Sequence, residues 1–383
     1  MTKEGVEPFR VHVDDAVLDD LRRRLELTRF PAPIPGTGWE YGTPIEEVRD
    51  LVTYWRDGYD WRAEEARLNQ LDQCTTELDG LRVHFVHARS SHADALPLLL
   101  VHGWPGSIVE FLDVVPRLTD PTAHGGSAAD AFHVVAPSLP GYGFSEVPRV
   151  PGWDIRRVAH AFVALMERLG YEHYGAQGGD WGAQITTRMA TLDPKHCVGL
   201  HLSMPIAGPP DGDASLTDEE QADLAVMARF QREDAAYASV QGTHPQTLGI
   251  ALDDSPAGLL AWIAQRFRDW SDCDGVLERS FSRDQLLTNV MLYWVTRSFT
   301  SSARLYWETM HSGVLREPLE HVDVPTGIAR FPKEEILRFP RSWVEQRYRV
   351  THWVDMPRGG HFAAMEEPAL FVDDLRAFFR TVR

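Results

Sequence analysis

The stretch Gly178-Gly179-Asp180-Trp181-Gly182 constrains this chain more than any other. It has the pattern of a nucleophile elbow, a sharp turn from strand to helix that pushes one side chain out over a parallel sheet. Such a turn closes only when the residues two before and two after its tip are small, here Gly178 and Gly182. Ser commonly holds the tip, but this chain places Asp180 there. That changes the chemistry. Ser attacks carbonyl carbon, whereas Asp displaces a leaving group at saturated carbon and is left as an ester.

A chain of 383 residues, 43% of them hydrophobic, can bury a large core and build more than one subdomain. The formal net charge of −18 makes nucleic acid and anionic membrane surfaces poor partners, and solubility is its simplest reading. Cys74, Cys197 and Cys273 lie far apart, are odd in number and show no metal-binding spacing. This fits a reducing cytosol, so the expected location is cytoplasmic. Residues 1–10 lack the apolar core of a signal peptide. No apolar run approaches the roughly 20 residues of a membrane span.

Residues 1–80 read as a helical extension. Asp14 is the predicted cap of a helix with Val17, Leu18, Leu21 and Leu25 on one face. Thr43-Pro44-Ile45-Glu46 reads as a capping box with Pro at the first helical position. From residue 81 the texture changes. Apolar or alternating runs at 81–88, 97–101, 132–137, 174–176 and 197–204 end in turns and alternate with helical stretches such as 158–169. That pattern predicts a parallel sheet with helices on both faces. Residues 216–310 then look almost wholly helical. Leu260, Ile263, Phe267 and Trp270 share a face after the cap Ser255-Pro256, and Ser282-x-x-Gln285 is a second capping box. Strand texture returns at 324–331 and 350–355 before a terminal helix at 369–379. The expected organisation is therefore an N-terminal extension (1–80), a core in two parts (81–215 and 311–383) and a helical cap (216–310). An insertion after the sixth strand of such a sheet would roof the tip of the elbow.

An elbow nucleophile needs an oxyanion hole, a base and an acid to orient the base. His102-Gly103-Trp104-Pro105 follows the run 97–101, where α/β hydrolases place the loop that donates one oxyanion N–H. The second donor is the N–H after the nucleophile, so the expected backbone pair is Trp104 and Trp181. One such donor lowers a barrier by roughly 3 kcal/mol. The base is expected in a loop after the last strand, which points to His361 in Gly359-Gly360-His361-Phe362. His84 and His87, three apart on a strand, face opposite sides and cannot chelate together. Phe331-Pro332-Lys333-Glu334-Glu335 offers two candidate acids, and the order nucleophile, acid, His matches that of α/β hydrolases. No G-x-S-x-G occurs, and Gly141-x-Gly143 lacks the third glycine of a dinucleotide loop at Glu146.

With these residues the chain resembles the microsomal-type epoxide hydrolases, including their soluble bacterial members. The matching segments are His102-Gly103-Trp104-Pro105-Gly106-Ser107, Leu139-Pro140-Gly141-Tyr142-Gly143-Phe144-Ser145, Gly178-Gly179-Asp180-Trp181-Gly182, Leu252-Asp253-Asp254-Ser255-Pro256 and Gly359-Gly360-His361-Phe362-Ala363-Ala364. Residues 9–31 are similar to the extension of that family. The resemblance implies an α/β-hydrolase fold with a helical cap and a helical N-terminal extension. It implies two cap tyrosines that protonate the epoxide oxygen, and these match Tyr237 and Tyr306. From the residues alone neither stands out among ten tyrosines. The family's acid falls on Glu334, with Glu335 open because the count back from Trp343 is ambiguous by one.

The implied reaction joins a small-molecule epoxide and water, through an ester on Asp180, into a vicinal diol, with no metal or organic cofactor. The membrane anchor of the animal enzymes has no counterpart, so the resemblance is to a soluble member. Members often dimerise, which leaves a homodimer open. A cap rich in Trp, Phe and Met suggests a bulky or aromatic epoxide, and the resemblance implies a xenobiotic or a secondary metabolite such as an enediyne as its class. Two alternatives stay open: a haloalkane dehalogenase with the same Asp-His-acid triad, and a non-catalytic hydrolase-fold binding protein.

Overall fold

The computed structural model describes residues 5–209 and 216–383. The first four residues of the expected extension and the expected division at residue 215 lie outside the described residues. Among the described residues, nine strands form one sheet: β1 (Val6–Phe9), β2 (Gln73–Leu78), β3 (Leu81–Ala88), β4 (Leu96–Val101), β5 (Phe132–Pro137), β6 (Tyr174–Gly178), β7 (Cys197–Leu202), β8 (Val322–Arg330) and β9 (Tyr348–Asp355). Their spatial order is β1-β2-β3-β5-β4-β6-β7-β8-β9. The first three join antiparallel and β3 meets β5 antiparallel. From β5 to β9 every pairing is parallel.

The parallel part follows from the residues. Leu98, Leu99 and Leu100 of β4 are fully buried, as a strand covered by helices on both faces requires. Helices Ile155–Arg168, Asp180–Leu192 and Pro368–Phe379 belong to this layer, and Ile155, Phe162, Ile185, Leu375 and Phe379 are fully buried.

Three expectations need correction. Residues 1–80 are not only helical, since β1 and β2 extend the sheet at its antiparallel edge. Their polar residues, such as Thr75, Thr76 and Glu77, hide the strand pattern. Asp79 and Gly80, both at positive φ, join β2 to β3 as a tight hairpin, so the sheet runs across the expected division at residue 80. The helical insertion follows the seventh strand of this sheet rather than the sixth. The box at Thr43 does not form. Pro44 occupies the cap position, and Thr43 Oγ1 turns to Ala261 O at 3.1 Å and Gln265 Oε1 at 3.0 Å. Asp14 does hold the cap position of helix Asp15–Glu26, although its side chain makes no capping bond.

Among the described residues, six α-helices between β7 and β8 run from Asp218–Glu233 to Phe299–His311. Ser255 caps helix Pro256–Trp270 as expected, and Ser282 with Gln285 forms a complete capping box. Leu260, Ile263, Phe267 and Trp270 are buried. Asn289 Nδ2 donates to Pro105 O at 2.8 Å, and Tyr293 Oη donates to Gly106 O at 2.7 Å. These bonds fasten the helical segment to the loop after β4. Among the described residues, no helix is long and apolar enough to cross a membrane.

Candidate active site

β6 ends at Gly178 and the next helix begins at Asp180, whose φ of 49° lies in the left-handed region. A non-glycine residue there carries strain of order 1–3 kcal/mol. Close packing around the turn holds it. A Cβ on Gly182 would fall 1.9 Å from Val101 O, so helix and strand approach only because that residue is glycine. A Cβ on Gly103 would fall 2.2 Å from Asp180 Oδ1. With no side chain at 103, the loop after β4 closes on the carboxylate, and Trp104 N donates to Asp180 Oδ1 at 2.9 Å. Trp181 N lies in the first helical turn, where N–H groups lack intrahelical partners. Among the described residues, the Asp180 carboxylate does not accept a bond from it.

His361 reaches the other carboxylate oxygen. Its Nε2 is 3.5 Å from Asp180 Oδ2, and its Nδ1 is 2.6 Å from Glu334 Oε2. The His361 N–H donates to Trp270 O at 2.8 Å, which anchors the loop to the helical segment. Glu334 Oε1 accepts from Ile336 N at 3.0 Å. Glu335 points elsewhere and pairs with Arg229. Of the two candidate acids, Glu334 is the one that faces the imidazole. Burial pulls the His361 pKa down. The Glu334 charge, the hydrogen bonds to Asp180 and Glu334 and the Asp180 charge outweigh it, so the imidazole holds its proton well above the usual His range.

Tyr237 and Tyr306 come from helices Ala236–Thr243 and Phe299–His311. Tyr237 stacks on Trp104 with ring centres 5.2 Å apart, and Tyr306 meets Trp181 edge-on at 4.8 Å. Their own rings are 6.0 Å apart. Both phenols are pushed above the ordinary tyrosine range. Burial is the main cause for each; the Asp180 charge adds to it for Tyr237, and the neighbouring Tyr237 and then Asp180 add to it for Tyr306. They are therefore protonated and able to donate.

Two cavities among the described residues bear on Asp180, His361 and Tyr237. A pocket of about 20 Å³ lies against Asp180 and His361. A much larger cleft of about 880 Å³ is lined by Tyr237, Trp262, Arg266, Trp270 and Lys333. The larger space is thus not at the carboxylate. Tyr237 lines the cleft and stacks on Trp104, which lines the small pocket and donates to Asp180.

Sequence reasoning brought seven residues to this place. It missed Trp270, whose ring centre is 5.1 Å from that of His361, and two polar residues of the small pocket, Glu110 and Gln177. The one available signal for Glu110 was a lone acid inside the apolar run Ile108-Val109-Glu110-Phe111-Leu112.

Residues 6–111 match the family described as epoxide hydrolase N terminus, and residues 97–269 match the alpha/beta hydrolase fold. The chain is 49% identical to the protein named "Putative epoxide hydrolase" of Stigmatella aurantiaca, over 99% of this chain and 86% of that one. It is 40% identical to epoxide hydrolase 1 of Sus scrofa, over 98% of this chain and 88% of that one. The crystal structure of juvenile hormone epoxide hydrolase from the silkworm Bombyx mori superposes with a TM-score of 0.91 at 33% identity, covering 100% of this chain and 95% of that one. Identity of this degree across nearly the whole length is shared descent, not a borrowed fold, and the chain belongs to the epoxide hydrolases, enzymes of the α/β-hydrolase fold that add water to an epoxide.

Proposed function

We propose that the reaction proceeds through an ester on Asp180, with residues 216–310 acting as the cap over it. The observation that carries this reading is the placement of His361, 2.6 Å from Glu334 on one side and 3.5 Å from Asp180 on the other. Trp104 N occupies Asp180 Oδ1 and leaves Oδ2 to attack an epoxide carbon. The epoxide C–O bond breaks while Tyr237 and Tyr306 hold the oxygen and supply a proton. The proton count supports the sequence of steps. The free site holds a carboxylate and an imidazolium, and after the first step it must hold an ester and a neutral imidazole. The proton that His361 gives up balances the one that the epoxide oxygen gains.

Neutral His361, oriented by Glu334, then takes a proton from water, and the water oxygen attacks Asp180 Cγ. The N–H groups of Trp104 and Trp181 hold the oxyanion. The ester C–O bond breaks as the proton on His361 passes to the leaving oxygen, the diol leaves, and the acid proton of Asp180 goes to His361, which restores the carboxylate and the imidazolium. The 880 Å³ cleft beside Tyr237 and Trp270, lined by aromatic and charged residues alike, supports a bulky epoxide whose body lies there while its ring reaches Asp180.

The test is intact-protein mass of His361→Gln after incubation with aryl and alkyl epoxides. An adduct of substrate mass, absent from Asp180→Asn/His361→Gln, is expected. An adduct that persists in the double variant overturns the assignment of Asp180.

A further inference from the structure

We propose that the small cavity beside Asp180 seats the hydrolytic water and that Glu110 holds it there, a reading that rests on the ester mechanism above. The cavity measures about 20 Å³. A water needs roughly 10–15 Å³ and two to four polar partners, so there is room for one. The walls include Asp180, His361, Glu110, Gln177 and Ser203. Gln177 is 2% exposed, and its Oε1 has no partner among the described residues. Glu110 makes no ion pair among them either.

The backbone is shaped to admit the Glu110 carboxyl. A Cβ on Gly106 would fall 1.6 Å from Glu110 Oε1, so the acid occupies the space that a side chain at 106 would take. The loop that carries Gly106 is pinned by Asn289 and Tyr293. Burial lifts the Glu110 pKa to about 8. The nearby His361 opposes this, the Asp180 charge adds to it and a hydrogen bond from the Ser107 backbone opposes it. The acid is therefore mostly neutral at pH 7. A neutral carboxyl still accepts a hydrogen bond through its carbonyl oxygen.

The geometry of attack requires such an acceptor. A water aimed at Asp180 Cγ points a lone pair at the carbon and one hydrogen at His361 Nε2. Its other hydrogen needs a fixed partner, and the Glu110 carbonyl provides it with Gln177 beside it. In the step, the water O–H bond breaks toward His361, a C–O bond forms at Cγ, and the ester C–O bond to the diol oxygen breaks as the proton held by His361 passes to that oxygen; the acid proton left on Asp180 then goes to His361. Glu110 neither gains nor loses a proton. The same water would be in place before a bulky epoxide closes the route from the cleft.

The test is single-turnover kinetics of Glu110→Leu and Glu110→Gln with an aryl epoxide, following ester formation and breakdown separately by rapid quench and intact mass. Glu110→Leu is expected to slow breakdown about 10-fold or more while ester formation stays near wild type, so that the adduct accumulates. Glu110→Gln keeps a carbonyl acceptor and is expected to stay within a few-fold of wild type. Should Glu110→Leu not fold, Glu110→Ala is read in the same way. Breakdown at the wild-type rate overturns the proposal. So does an equal loss in both steps, which marks a structural role, and so does a Gln variant as slow as Leu. The absence of any adduct in His361→Gln would instead sink the ester mechanism, and the two failures are thereby distinct.

Discussion

The Nε2 atom of His361 lies 3.5 Å from Oδ2 of Asp180, so nucleophile and base face each other as an ion pair. With both Asp180 and Glu334 beside it, the imidazole is protonated above the usual His range. Replacing Asp180 by Asn removes a charge and a charged acceptor, and the His361 titration seen by imidazole NMR should shift to lower pH. Esterification has the same effect, which readies His361 as a base when water must be activated. The stability consequence has a definite sign. A group whose folded pKa is raised contributes stability that is complete below its unfolded value, about 6.5, and is lost as pH rises through the folded value. The stability of the wild type to denaturant should therefore fall as pH rises across the alkaline side of neutrality, and Asp180→Asn should flatten that slope. An unchanged slope would mean that the pair is not charged in the free enzyme.

Glu334 and Glu335 are neighbours in sequence with opposite surroundings. Glu334 bonds His361 at 2.6 Å inside the fold, while Glu335 pairs with the half-exposed Arg229. Glu334→Gln should slow ester breakdown by roughly a hundredfold and leave ester on the enzyme. Glu335→Gln should cost at most about 1 kcal/mol of stability and leave turnover intact. Steady-state rates of the two variants decide it, and a reversed order would assign the acid to Glu335.

The contrast between these two acids also shows how much of the site could be read in advance. Gly182 and Gly103 are demanded by contacts that any side chain would break, so the loops they build carry a recognisable pattern. β4 is a run of apolar residues because both its faces are covered, and that too shows in one dimension. β1 and β2 lie at the sheet edge, where polar residues are tolerated, and their pattern is lost. Glu334 is separated from Glu335 only by the path of the loop after β8, which spacing does not specify. Tyr237 and Tyr306 carry no local mark at all. Their meaning lies in the rings of Trp104 and Trp181 that they meet across the cap boundary.

Those tyrosines give a third prediction. Phe at either position keeps the ring contacts and removes only the hydroxyl, so the fold should melt within a few degrees of wild type. Loss of one donor should slow ester formation by roughly 10- to 100-fold, and the double variant should lose it almost wholly. Ester breakdown, which the phenols do not serve, should change little. Stopped-flow measurement of the two steps checks this, and a loss confined to breakdown would place the phenols in the wrong half of the reaction.

Asp223 supplies the last prediction, on how the cap is held. It lies on helix Asp218–Glu233, is almost fully buried, and takes Arg330 at 2.7 Å and Arg338 at 2.9 Å. Arg330 ends β8, and Arg338 also donates to the carbonyls of Phe331, Pro332 and Glu334. One cap carboxylate thus holds together two guanidinium groups that frame the loop bearing Glu334, and Arg330 also reaches Glu219 at 3.3 Å and Asp355 at 3.6 Å. Removing it leaves Arg338 with no ion-pair partner among the described residues while Arg330 keeps Glu219 and Asp355, and breaking a buried pair in this way costs up to about 3–5 kcal/mol. Asp223→Ala should lower the melting temperature by several degrees. Because the loop that aims Glu334 loosens with it, ester breakdown should suffer more than ester formation. Adding Arg338→Met should recover part of the stability by removing one uncompensated charge. Thermal melts of the single and double variants, with single-turnover rates beside them, measure both effects. A double variant less stable than Asp223→Ala would show that Arg338 supports the loop by its carbonyl bonds rather than through Asp223.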